Sequence, residues 1–130
     1  MKIFGIGTDI VNIKRMKESL KKNNSKFKER IFSKKEIIYC EKKKNPSSFY
    51  AKRFAAKEAF SKALGTGIRK GINFKDIEIF NDNFGKPSIK LKGSTEKFLK
   101  KKIKNKKYSI YLSLSDDLPW AQATVIVSYN

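Results

Sequence analysis

SSFYAKRFAAKEAFSKAL, residues 47–64, runs without a helix breaker from Asn45-Pro46 to Gly65. Ala, Leu, Lys and Glu are strong helix formers, so this stretch predicts one long helix from about 47 to 64. Just upstream, SKKEIIYCEKK (33–43) sets Ser33 three residues before Glu36, a capping box that predicts a helix to roughly Lys43. Further back, Ile13, Met16 and Leu20 share one face of a basic amphipathic helix from Asn12 to about Lys22, and a short helix is expected at 26–32. Residues 3–11, IFGIGTDIV, are β-branched and apolar apart from one acid, which reads as a buried strand with Asp9 near its end.

Downstream of the long helix, GTGIRKGI (65–72) is a glycine-rich loop. DIEIFND, NFGK and PSIKLK then predict a hairpin turning at Asn81 to Lys86. Ser94 or Thr95 can cap a lysine-rich helix reaching about Asn105, and YSIYLSLS and WAQATVIVS, separated by Asp116, Asp117, Leu118 and Pro119, predict a final antiparallel hairpin. The order is strand, helices, hairpin, helix, hairpin, with no repeated βαβ unit, which indicates an α+β class. A chain of 130 residues with 39% hydrophobic content supports one domain over 1–130.

The formal charge is +19, carried by 27 Lys and only 4 Arg. It predicts attraction to polyanions: nucleic acid, an anionic surface or an acidic protein. The chain is also rich in Ile (15) and Asn (9), which share AT-rich codons with Lys, so base composition accounts for lysines on solvated faces as well as function does. Cys40 is alone, which excludes an internal disulfide and a cysteine zinc site and suits a reducing compartment. The N-terminal run MKIFGIGTDIV is interrupted by Asp9 and does not read as a signal peptide, so a cytoplasmic location is expected.

No histidine occurs, which removes Ser-His-Asp and Cys-His catalysis. Most of the 12 acids sit in Lys/Glu patterns that read as solvated ion pairs. Two do not. Asp9 interrupts an apolar strand, where a carboxylate is costly without a cation or hydrogen bonds. Glu58 lies with Lys57, Ser61 and Lys62 in a narrow polar strip on an Ala/Phe/Leu helix. An i, i+4 bridge between Glu58 and Lys62 is one explanation of that strip. The other is chemical: two carboxylates with a lysine nearby suit magnesium held on a diphosphate, with hard oxygen ligands on the ion and the ammonium on a phosphate oxygen. GTGIRKG lacks the GxxxxGK[ST] spacing of a nucleotide loop, and GIGTDI is not a dinucleotide fingerprint.

GIGTDIV and RFAAKEAFSKALGTGI, in this order and separation, resemble the two signature segments of the holo-acyl-carrier-protein synthase family. FNDNFGKP resembles a third recurring segment and YLSLSDDLPWAQATVIV the closing hairpin, so the likeness covers nearly the whole chain. It implies a 4'-phosphopantetheinyl transferase fold, with an antiparallel sheet packed against one long central helix and shorter helices. It also implies transfer of 4'-phosphopantetheine from coenzyme A to a serine of apo acyl carrier protein. By the same resemblance Asp9 and Glu58 are the metal ligands for Mg2+ and Lys62 is a catalytic phosphate contact. Arg53 reads as a contact for the phosphates of the adenine nucleotide in preference to an exposed helix charge, and Gly65 is expected at coenzyme A as well. Arg15 contacts acyl carrier protein, and the enzyme is a homotrimer with active sites between subunits. Residues 14–44 carry 13 Lys and Arg against 4 Glu, which suits an acidic partner. Tyr111 and Asp116 stand where many members of the family have histidines.

Two other readings compete. A small nucleic-acid-binding protein would use the charge, but it leaves Asp9 and Glu58 unexplained, and its usual base reader, arginine, is scarce. A scaffold that docks acidic partners through the basic helix would retain the carboxylate pair without using it.

Overall fold

The computed structural model describes residues 1–22 and 25–130. Helix α3 (Pro46–Leu64) is its axis. Pro46 opens the first turn, where a missing N–H costs nothing, and Gly65 closes the helix at φ 80°, a left-handed conformation that glycine adopts without a Cβ clash. On one side lies an antiparallel sheet in the order β1 (Lys2–Asn12), β5 (Trp120–Tyr129), β4 (Tyr108–Asp117). Helices α1 (Ile13–Ile31) and α2 (Lys34–Glu41) cover the N-terminal half of α3. The hairpin β2 (Ile77–Asn81) and β3 (Pro87–Leu91), followed by α4 (Gly93–Lys102), packs on its C-terminal half.

The contact between β1 and α3 is unusually close. A Cβ on Gly5 would lie 1.9 Å from the carbonyl oxygen of Ala63, and one on Gly7 1.8 Å from that of Ala59. The glycines of GIG therefore let strand backbone rest on helix backbone, opposite the small alanines of α3. This close approach fixes where the next inward-facing residue of β1, Asp9, meets the helix.

The element order agrees with the α+β expectation, with five corrections of detail. Strand β1 is buried on one face only: Ile3, Ile6 and Ile10 are 57%, 64% and 60% exposed, because α3 covers the inner face of the sheet and no described element covers the outer one. Row by row across the sheet, Ile6 faces Ile126 and Ile126 faces Tyr111, so an apolar band crosses that outer face. The helices expected at 12–22 and 26–32 are one, α1, since no Gly or Pro interrupts the run. Ser94 and Thr95 do not cap α4. Lys92 is its N-cap residue, and Asp76 from the preceding 3-10 turn accepts hydrogen bonds from the Thr95 N–H and hydroxyl at 3.2 and 2.9 Å. Asp116 and Asp117 belong to β4, leaving Leu118-Pro119 as the turn.

The fifth correction concerns charge. Glu36 and Lys57 are not solvated: both are fully buried, 2.8 Å apart. The Lys57 ammonium also donates to the carbonyls of Phe74 and Ile77, while Glu36 accepts from the N–H groups of Ser33 and Ile79. One ion pair thus ties α2, α3 and β2 together with its polar atoms satisfied.

Candidate active site

The polar strip of α3 splits in the folded chain. Lys57 turns into the core and Ser61 is buried, whereas Glu58 and Lys62 face β1. Gly5, Gly7 and Asp9 alternate onto the inner face of β1, so the glycine contact delivers Asp9 to the helix turn that carries Glu58 and Lys62. Lys62 Nζ donates to Asp9 Oδ1 at 3.0 Å and to the Thr8 carbonyl at 3.1 Å. The i, i+4 bridge to Glu58 is not the one formed: the helical neighbour loses the lysine to the strand.

Asp9 and Glu58 line one cleft of about 430 Å³ with Asn12, Arg15, Phe54 and Trp120. Arg15 stands in the first turn of α1, where its N–H is held by the cap residue Asn12 at 3.1 Å. Among the described residues no donor hydrogen-bonds the Glu58 carboxylate. Its pKa is raised, first by burial and then by the charge of Asp9, against a lowering pull from Lys62. The cleft thus sets two carboxylates side by side, with Lys62 and Arg15 as the nearby cations and with the Glu58 oxygens left open, an arrangement of hard oxygens suited to binding a cation. No cluster of three or more His, Cys, Asp or Glu exists among the described residues. Two carboxylates beside open solvent fit magnesium, which keeps several waters and takes its other oxygens from substrate phosphates.

Gly65 lies at the end of the same helix, its N–H bonded to the Lys62 carbonyl. Arg53 lies elsewhere. It is buried, donates to Asn81 Oδ1 at 2.6 Å and stacks on Tyr39 at 4.0 Å from the ring centroid. Its Nε is buried without a hydrogen-bond partner in the described structure. Arg53 lines a second cleft with Tyr39, Phe49, Lys52, Asn81 and Pro87, so within one chain it does not share the cleft of Asp9 and Glu58. Lys43 and Lys52 sit over the Phe49 ring there, and Lys52 pairs with Asp116 at 3.2 Å. Sequence reasoning named Arg53 and missed the aromatic and lysine side chains around it, because they come from segments far apart in the chain.

Tyr111 is on the outer face of the sheet, 52% exposed, away from both clefts. Cys40 is buried and its thiol is pushed up to about 12, chiefly by burial, so it is not a nucleophile at neutral pH. No helix among the described residues is long and apolar enough to cross a membrane.

Residues 5–122 match the family model of the 4'-phosphopantetheinyl transferase superfamily. The chain is 50% identical over 127 residues to a holo-[acyl-carrier-protein] synthase of Pelagibacter ubique, covering 98% of each protein. A holo-[acyl-carrier-protein] synthase crystal structure from Neisseria meningitidis superposes with a TM-score of 0.86 at 39% identity, over 97% of this chain and 98% of that one. The Helicobacter pylori synthase, solved in complex with coenzyme A, gives 0.82 at 40% identity, over 95% of this chain and 99% of the other. The glycine-set strand, the helix carrying Glu58 and the two-carboxylate cleft are therefore features of a chain that belongs to the 4'-phosphopantetheinyl transferase superfamily, among its holo-[acyl-carrier-protein] synthases.

Proposed function

We infer that this chain transfers the 4'-phosphopantetheine group of coenzyme A to a serine of apo acyl carrier protein. The serine Oγ gives up its proton, to water or to the leaving phosphate oxygen, as it forms the new bond to phosphorus; the bond to the leaving oxygen breaks, and 3',5'-ADP departs. The observation that carries this reading is the meeting of Asp9, on the strand, with Glu58 and Lys62, on the helix, at one open cleft.

Asp9 and Glu58 are the ligands we assign to Mg2+, which when bound neutralises diphosphate charge and orients its oxygens. Lys62, half-exposed and free to swing on four methylenes, reaches a phosphate oxygen from the end of α3. Gly65 leaves the backbone beyond Lys62 bare, since no atom lies within 4 Å of where its Cβ would be, and substrate can approach there. Arg15, on the rim of the cleft and in the basic face of α1, is placed to meet an acidic helix of the carrier protein.

The apolar band of Ile6, Ile126 and Tyr111 and the exposed Ile3 and Ile10 suit burial against further copies of the chain, and we assign that face to a homotrimer. In such an assembly Arg53 contacts coenzyme A phosphates from a neighbouring subunit's cleft, consistent with its separation from Asp9 within one chain. The unpaired thiol of Cys40 suits the reducing cytoplasm.

The test is mass spectrometry of apo acyl carrier protein incubated with this protein, coenzyme A and magnesium. A gain of one phosphopantetheine, absent with Asp9→Ala and with Glu58→Ala, is expected. No gain under metal-replete conditions, with tight magnesium-independent binding to generic RNA instead, would overturn the assignment. Sedimentation equilibrium of the wild type and of Ile6→Asp tests the trimer; a monomeric wild type would refute it.

A further inference from the structure

The Lys62 ammonium lies against Asp9, one of the two carboxylates that line the cleft. It sits 3.0 Å from Asp9 Oδ1 and 3.1 Å from the Thr8 carbonyl, so two of its three donors are committed to the strand. Glu58, one turn earlier on the same helix, receives no donor among the described residues. The side chain of Asp9 is 17% exposed and that of Lys62 53%, so the lysine is the partner with freedom to leave.

We propose that Lys62 is the resident counter-ion of the carboxylate pair: it holds Asp9 while no divalent cation is bound and releases Asp9 when one binds, which couples metal binding to diphosphate binding. This rests on the assignment of Asp9 and Glu58 as metal ligands. An ammonium and a divalent cation on the same carboxylate repel each other, so Lys62 must swing away for the ion to settle. A diphosphate arriving with the metal gives the displaced ammonium a new anion. Metal alone therefore binds weakly and metal with diphosphate binds well, and by linkage each raises the affinity of the other by the same factor. A lysine that served only the phosphate would have no effect on metal binding in the absence of coenzyme A beyond that of any other nearby cation.

Binding of Mn2+ alone, followed by the electron paramagnetic resonance signal of the free ion, separates these cases. The proteins are wild type, Lys62→Met, Lys62→Gln, Lys62→Arg and Arg15→Met, the last removing another cation of the cleft. Release of one half-exposed ion pair predicts Mn2+ affinity about two- to fivefold tighter in Lys62→Met and Lys62→Gln. Lys62→Arg should stay near wild type and Arg15→Met should change less. Coenzyme A should then enhance Mn2+ affinity less in Lys62→Met than in wild type. Equal or weaker Mn2+ binding by Lys62→Met and Lys62→Gln would overturn the proposal, as would an Arg15→Met gain as large as theirs. Absence of Mn2+ binding in all five proteins would instead remove the metal-pair assignment on which it rests.

Discussion

Helix α3 carries two lysine–carboxylate partnerships on different sides, and they are built to different specifications. On the core side, Lys57 and Glu36 are fully buried, with all three ammonium donors and both carboxylate oxygens hydrogen-bonded. On the strand side, Lys62 bridges to Asp9 at the edge of solvent while Glu58 next to it has no donor among the described residues and a raised pKa. A closed network holds elements in place; one that leaves carboxylate oxygens open can bind something. Residue type alone does not distinguish them, because Lys57 and Glu58 are adjacent in sequence.

The sharpest way to break the contrast is Glu36→Ala. It leaves the Lys57 ammonium buried without a counter-charge and strands two N–H groups, so a loss of about 3–5 kcal/mol is expected in urea denaturation. A cost below about 1 kcal/mol, that of a surface pair, would abolish the distinction. Asp9→Ala should do the reverse, with stability near wild type and transfer reduced about 100- to 1000-fold, as when one charge-stabilising group is removed from a site. That is read from steady-state turnover together with a thermal melt.

Gly7→Ala tests the join between fold and site. Its methyl would overlap the Ala59 carbonyl, so β1 must move off α3, with a cost of about 1–3 kcal/mol in chemical denaturation and loss of metal-dependent coenzyme A binding. Retained binding would show that Asp9 does not depend on the glycine contact. The smallest effect is Glu58→Gln. A carboxylate with a raised pKa contributes stability that is full below its ordinary pKa and lost as pH rises through the raised one. At neutral pH the amide should therefore make the metal-free protein slightly more stable while removing metal-dependent coenzyme A binding. In wild type that binding should weaken as pH falls through the raised pKa, because a protonated carboxyl is a poor ligand. A lower melting point for metal-free Glu58→Gln would contradict a carboxylate that costs stability when ionised.

Much of this is legible in the order of the residues. The long helix follows from an uninterrupted run of helix formers bounded by Pro46 and Gly65, and the box at Ser33 and Glu36 forms as its spacing requires, with bonds of 2.8 and 3.2 Å. Asp9 and Glu58 stand out because each breaks an apolar pattern. The polar strip is less legible, since four polar residues on one helix look continuous until neighbours arrive from two sides. The outer face of β1 misleads for a related reason: an apolar strand signals that its faces are to be covered, without saying whether this chain or another copy covers them.

Local physical chemistry, propensity, caps, turn residues and the cost of an acid in a strand, was enough to indicate the order of the elements and to single out two residues of the candidate site. Which partners those residues take was decided only by tertiary structure. Strand β1 pairs with β5 across more than a hundred residues, Lys57 finds Glu36 across 21, and Lys62 leaves its helical neighbour for Asp9 across 53. The reason is that hydrogen bonds within a helix or turn are written into short spacings. A cleft forms where segments distant in sequence are pressed together by burial, and here two glycines set how closely they meet.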